Sequence, residues 1–124
     1  MSVPAGRLEV ERVDDVAVVR LLGEHDLAST AALRDSLLTL IEDGFGVVVD
    51  CTETEFIDVA VLRKLLEADE ALRARGCRLA VLLHTECPVE RFFEIVHAER
   101  WLAVASEWPV AIRLAGSSGQ GGSS

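Results

Sequence analysis

The residues able to do chemistry fall in three short stretches: His25-Asp26, Cys51 to Asp58 (CTETEFID), and His84 to Cys87 (HTEC). Imidazoles, thiols and carboxylates are the groups that bind zinc or serve as nucleophile and base. A metal or thiol enzyme using His25, Cys51, Asp58 and His84 is therefore one reading. The spacing weighs against it. His84 and Cys87 lack the paired short spacings of structural zinc sites, and Cys51 directly follows an apolar run, where cysteine serves as a small apolar residue. The chain has no glycine-rich phosphate loop, nucleophile elbow or HExxH. No catalytic residue, metal ligand or cofactor is assigned, and the chain is expected not to be an enzyme.

The elements that hold these stretches follow from hydrophobic periodicity. Leu8 to Arg12 alternates apolar and charged residues, Asp14-Asp15 signals a turn, and Val16 to Leu22 begins a second strand, so the chain opens with a hairpin. Val16, Ala17, Val18 and Val19 are continuously apolar, as are Val47 to Val49 and Leu79 to Leu83, the pattern of strands covered on both faces. The second strand thus belongs inside the sheet, with the first at its edge and Gly23 to Leu27 crossing into a helix. Leu33, Leu37, Leu40 and Ile41 share one face of that helix, with Ser29 or Thr30 as its cap and Gly44 as its end. The turn Asp50 to Asp58 precedes a second helix, about Val59 to Arg75, with Asp58 as its N-cap, an inner stripe of Val61, Leu62, Leu65, Ala68 and Leu72, and Gly76 closing it. A third helix follows Pro88 and carries Phe92, Phe93 and Val96. A short strand is expected over Trp101 to Val104, then a helix capped by Ser106, with both Trp101 and Trp108 packed against the sheet. The class is α/β: one domain, with a mixed, mostly parallel sheet of about four or five strands opened by a hairpin and about four helices. Strand-to-helix turns at the carboxyl ends of such a sheet are its usual binding sites.

The 124 residues, half of them apolar, suffice for a single core over residues 1–115, and the Gly/Ser-rich stretch 116–124 is expected to be disordered. A net charge of -9 argues against nucleic acid and against an anionic membrane surface. The first residues lack a secretory pattern and no run is long enough to insert in a membrane. Three cysteines without CxxC spacing suit reduced thiols in the cytoplasm.

The order of strand, acidic turn, Phe56-Ile57-Asp58 and helix resembles the STAS family, the anti-sigma-factor antagonists and their relatives. That family usually reads Asp-Ser-Ser-Gly-Leu where this chain has Asp58-Val59-Ala60-Val61-Leu62, and Gly-Glu-Leu-Asp-Leu-Ala where it has Gly23-Glu24-His25-Asp26-Leu27-Ala28. In the family one of those serines is phosphorylated by a partner kinase. The resemblance implies a divergent member whose phosphosite, Val59 and Ala60, is degenerate and cannot be switched. It further implies a partner-binding surface of Thr52, Glu53, Thr54, Glu55, Asp58, Val59, Ala60, Val61, Arg63 and Lys64, with His25, Asp26 and His84 in secondary loops. The implied function is non-catalytic: binding an anti-sigma kinase or related ATPase. An alternative within the family is a subunit regulating the ATPase of a lipid transporter, or part of a stress-signalling scaffold. Thr52 and Thr54 are left open as substitute phosphosites, although turn threonines ordinarily serve local hydrogen bonding, and the oligomeric state is left open too. Arg63 and Lys64 sit where cations oppose the helix dipole, so ion pairs with Glu53, Glu55 or Glu67 are expected.

Overall fold

A computed structural model describes residues 6–116. The elements run β1 (Arg7–Val13), β2 (Val16–His25), α1 (Thr30–Glu42), β3 (Gly46–Asp50), β4 (Thr54–Ile57), α2 (Val59–Arg73), β5 (Leu79–Leu82), α3 (Pro88–Val96), β6 (Ala103–Ala105) and α4 (Trp108–Ala115), with 3₁₀ turns at Leu27–Ser29 and Ala98–Arg100. The sheet order is β1-β2-β3-β5-β6, with β4 also on β2. Among the described residues only β1 and β2 pair antiparallel, across a hairpin turn in which Asp14 takes the left-handed conformation at φ 56°. The remaining pairs are parallel, as continuously apolar strands between helical crossovers require.

Alternate residues of these strands enter two cores. Ala17, Val19, Leu21, Val47, Val49 and Val81 pack with Leu33 and Leu37 of α1, Leu65 and Leu72 of α2, and Phe93 of α3. On the opposite face Val16, Val18, Val48 and Ala80 pack with Ala111 and Ala115 of α4. The stripes of α1 and α2 read from periodicity are buried, Phe92 and Val96 of α3 are partly so, and Gly44 and Gly76 leave α1 and α2 at φ 89° and 79°. A second device holds α2. Asp69, 1 % exposed, accepts from the Leu79 backbone N–H at 3.0 Å and from Arg78 Nε at 3.2 Å. Arg73 Nε lies 3.2 Å from its other oxygen as an ion pair off the line of a hydrogen bond. The last turns of α2 are thereby fastened to the start of β5.

The sheet has six strands, because Thr54–Ile57, read above as part of a polar turn, is a strand. β3 leaves β2 after the Arg20–Asp50 pair, while β2 itself runs on through Gly23 to His25 rather than ending at Leu22. β4 occupies the vacated side, pairing Glu24 with Phe56 and His25 with Ile57 across a register shift at Gly23. Thr54 and Ile57 are buried, while Glu55 and Phe56 face solvent. Three smaller expectations are corrected. Ser29 makes no side-chain cap; Asp26 caps the 3₁₀ turn instead, accepting from Ala28 N at 3.0 Å. Ser106 lies one residue too early to cap α4, whose cap position is Glu107. Trp108 packs into the second core as expected, but Trp101 precedes β6 and is 64 % exposed. Of the stretch 116–124, residues 117–124 lie outside the described residues.

Candidate functional site

At the carboxyl end of the sheet β2 and β4 finish side by side, and the chain enters the Leu27–Ser29 turn from one and α2 from the other. Asp58 joins them: its backbone N–H donates to the His25 carbonyl at 3.0 Å, while its side chain accepts from Ala60 N at 2.9 Å. The Asp58 carbonyl takes the N–H groups of Val61 and Leu62 at 3.0 and 3.1 Å. These bonds satisfy the orphan donors of the first helical turn. The helix start is therefore fixed by Asp58, with no help from the side chains of Val59 or Ala60. Val59 is 54 % exposed, Ala60 half-buried and Val61 fully buried in the core.

Two apolar residues absent from the sequence-derived surface lie at this end: Phe56, 48 % exposed, and Leu27, 69 % exposed. Nothing in the sequence separates them from core residues of the same type. Around them stand Glu24, Asp26, Glu53, Glu55 and Asp58, none of which enters an ion pair among the described residues. Lys64 pairs with Glu67 at 3.2 Å, as expected of it, but Arg63 is exposed and pairs with no acid among the described residues.

The two threonines differ. Thr54 is buried and its hydroxyl donates to the Leu21 carbonyl at 2.7 Å, tying β4 to β2. Thr52 is half-buried; its hydroxyl and its backbone N–H both donate to Asp50 Oδ1, at 2.7 and 2.9 Å. The other Asp50 oxygen accepts from Arg20 Nε at 3.3 Å, and this bond raises the pKa of the guanidinium further above its ordinary value. Glu9 and Glu11 of β1 complete the network at 3.6 and 4.0 Å from Arg20. Asp50 thus belongs to the cross-strand fastening of β1, β2 and β3.

The catalytic alternative does not assemble. His25 is 2 % exposed, and its Nε2 lies 3.2 Å from the Arg7 carbonyl and 3.1 Å from the Leu22 carbonyl. Two carbonyl partners require that nitrogen to be the donor, which leaves the lone pair on Nδ1, a buried atom with no hydrogen-bond partner. His84 is exposed in its own loop. Cys51 is fully buried, and burial pushes its thiol up to about 12, which removes the thiolate that nucleophilic chemistry needs. Among the described residues no three His, Cys, Asp or Glu side chains are grouped so as to hold a metal ion. Among them, too, no helix is long and apolar enough to cross a membrane.

A hairpin-led, mostly parallel sheet with three helices on one face, and a short strand leading into a capped helix at its carboxyl end, defines a small α/β domain. The chain belongs to the Mlab, STAS domain family, whose sequence pattern matches residues 8–104. Among solved structures it is similar to an anti-sigma factor antagonist from Mycobacterium paratuberculosis, with a TM-score of 0.78 at 20 % identity over 90 % of this chain and 94 % of that one. It is also similar to the anti-sigma factor antagonist SpoIIAA in its unphosphorylated form (TM-score 0.69, 22 % identity, 82 % and 90 % of the two chains). SpoIIAA of Bacillus in the phosphorylated form gives 0.63 at the same identity, over 82 % and 93 %. At these identities the likeness establishes the fold. No curated protein matches the chain in sequence.

Proposed function

We propose that the chain is a non-catalytic regulator that binds a protein partner in the cytoplasm through the strand-end surface from Thr52 to Lys64, extended by Leu27 and Phe56. The partner is an ATPase of the anti-sigma-kinase type, and no serine phosphorylation at positions 59 and 60 switches the contact off. The observation that carries this reading is the start of α2, where Val59 stands more than half exposed and hydroxyl-free on a turn held by Asp58 alone. Three exposed apolar side chains, Leu27, Phe56 and Val59, make a desolvating patch of the kind that protein contacts bury. The relatives named as anti-sigma factor antagonists support the class of partner, and the existence of SpoIIAA in both phosphorylation states supports the absence of that switch as this chain's distinguishing trait. The surface carries five unpaired carboxylates, which disfavours nucleic acid.

The test is affinity co-purification of the tagged chain from its native cells against a Val59→Glu variant, with partners identified by mass spectrometry. Recovery of a kinase-type ATPase that the variant loses supports the reading, whereas a transporter ATPase lost in the same way replaces the partner and keeps the surface. A partner retained equally by the variant would remove the surface. Val59→Ser then asks whether the docking geometry persists: a bound kinase should phosphorylate it.

A further inference from the structure

The outer face of α2 carries a feature that the partner surface leaves unused. A groove of about 300 Å³ runs between this helix and Trp101, lined by Arg63, Leu66, Glu67, Asp69, Glu70, Arg73 and Trp101. Trp101 is 64 % exposed although most of a tryptophan's surface is apolar, and exposed tryptophans are enriched where proteins meet. Along the groove stand two opposite charges, Arg63 and Glu70, and neither enters an ion pair among the described residues. They are seven residues apart on one stripe, roughly 10 Å along the axis at a rise of about 1.5 Å per residue. That separation prevents them from pairing with each other.

We propose that this groove binds a second copy of the same chain, the two α2 helices lying antiparallel about a two-fold axis that passes between Leu66 and Glu67. A two-fold contact sets residue i against j and j against i. In this register Arg63 of each copy meets Glu70 of the other, satisfying both unpaired charges twice over. Trp101 of each copy then covers the Leu66 floor of the opposite groove. Charge selects this face over the other exposed apolar site. Leu27, Phe56 and Val59 are ringed by unpaired acids, so two copies carrying -9 each would repel there. The groove instead presents Arg63 and Arg73 alongside Glu67, Asp69 and Glu70, with the Asp69 carboxylate already facing Arg73 and Arg78, so both signs are interspersed there. Arg63, which the family resemblance put on the partner surface, lies at the boundary between the two faces and takes its counterion from the second copy. The inference does not depend on the identity of any partner, and apart from Arg63 it leaves both strand-end surfaces exposed, so the dimer would engage a paired target bivalently.

The experiment is light scattering on the eluting intact chain from about 1 µM to about 1 mM, a range that brackets weak to moderate dimers. The mass is expected to rise from 13.4 kDa to twice that value. Arg63→Glu and Trp101→Ala should each raise the dissociation constant at least tenfold, and Arg63→Glu combined with Glu70→Arg should restore it. Both side chains are exposed, so circular dichroism should find the variants folded. Tryptophan emission provides a readout that needs no variant: it should shift to shorter wavelength with concentration, because Trp101 leaves water. A monomer at every concentration would overturn the proposal. So would a dimer that neither single variant weakens, a charge swap that fails to restore association, or a doubling of mass with unchanged emission.

Discussion

The two ends of α2 each hold an aspartate and use it differently. Asp69, near the helix end, is 1 % exposed and faces a backbone N–H and two arginines, so its own charge is answered inside the fold. Asp58, at the helix start, answers the first turn of backbone, is half-buried and faces no cation, with Val59 exposed beside it. The difference separates a residue that holds the helix to the sheet from one that holds a surface in shape. Buried charge faced by arginines and a backbone N–H reads as architecture; a satisfied cap surrounded by unpaired groups and exposed apolar side chains reads as a place kept free for contact.

The comparison can be broken most forcefully at Asp69. Asp69→Ala deprives the Leu79 N–H and both arginines of their acceptor, and it should cost about 2–4 kcal/mol in urea unfolding; a loss near zero would make the clamp ornamental. Asp58→Ala should cost about 0.5–2 kcal/mol, and Asp58→Asn distinctly less because it keeps the cap. An Asn variant as unstable as the Ala variant would show that charge, and not capping, holds the start of α2. Cys51 tests how well the layer beneath that start is sealed. Its folded pKa of about 12 lies above the ordinary thiol value of 9, so the unfolded chain ionises first as pH rises. Stability should be intact below pH 9 and fall progressively between 9 and about 12, by about 1 kcal/mol at pH 10. Cys51→Ala should remove that slope from a series of urea midpoints, and thiol reagents should spare Cys51 at pH 8 until the chain unfolds. The smallest effect is expected at the surface itself, where Val59→Ser should change stability by less than about 0.5 kcal/mol.

Much of the architecture could be read in advance because it depends on periodicity. Continuous apolar triplets gave the parallel strands, and stripes such as Leu33-Leu37-Leu40 gave the helices with their buried faces. β4 was hidden because four residues with an outward Glu55 and Phe56 carry too short an alternation to stand out from a turn. The Asp69 clamp was hidden because on a helix an aspartate beside Glu67 and Glu70 looks solvated, and its partners Arg78 and Leu79 lie beyond the turn that closes α2. At the site, the Asp58 cap and its neighbours were legible from residue type and position. Exposure was not: Leu27, Phe56 and Trp101 face solvent while Ile57 and Leu102 are buried, a distinction made by neighbours distant in sequence. The His25, Cys51 and His84 grouping failed for the same reason, since sharing one end of a sheet does not fix where side chains point.

The cap at Asp58 also makes position 59 an anchorage for instruments. The first turn takes its geometry from hydrogen bonds to residue 58, so the side chain one place on can be exchanged for a reporter without reshaping its support. A cysteine introduced there would be far more accessible than Cys51 and Cys87, both buried. A spin label or fluorophore attached to it would sit on a rigid mount at the centre of the exposed patch, and its spectrum would follow the arrival of any protein there in real time.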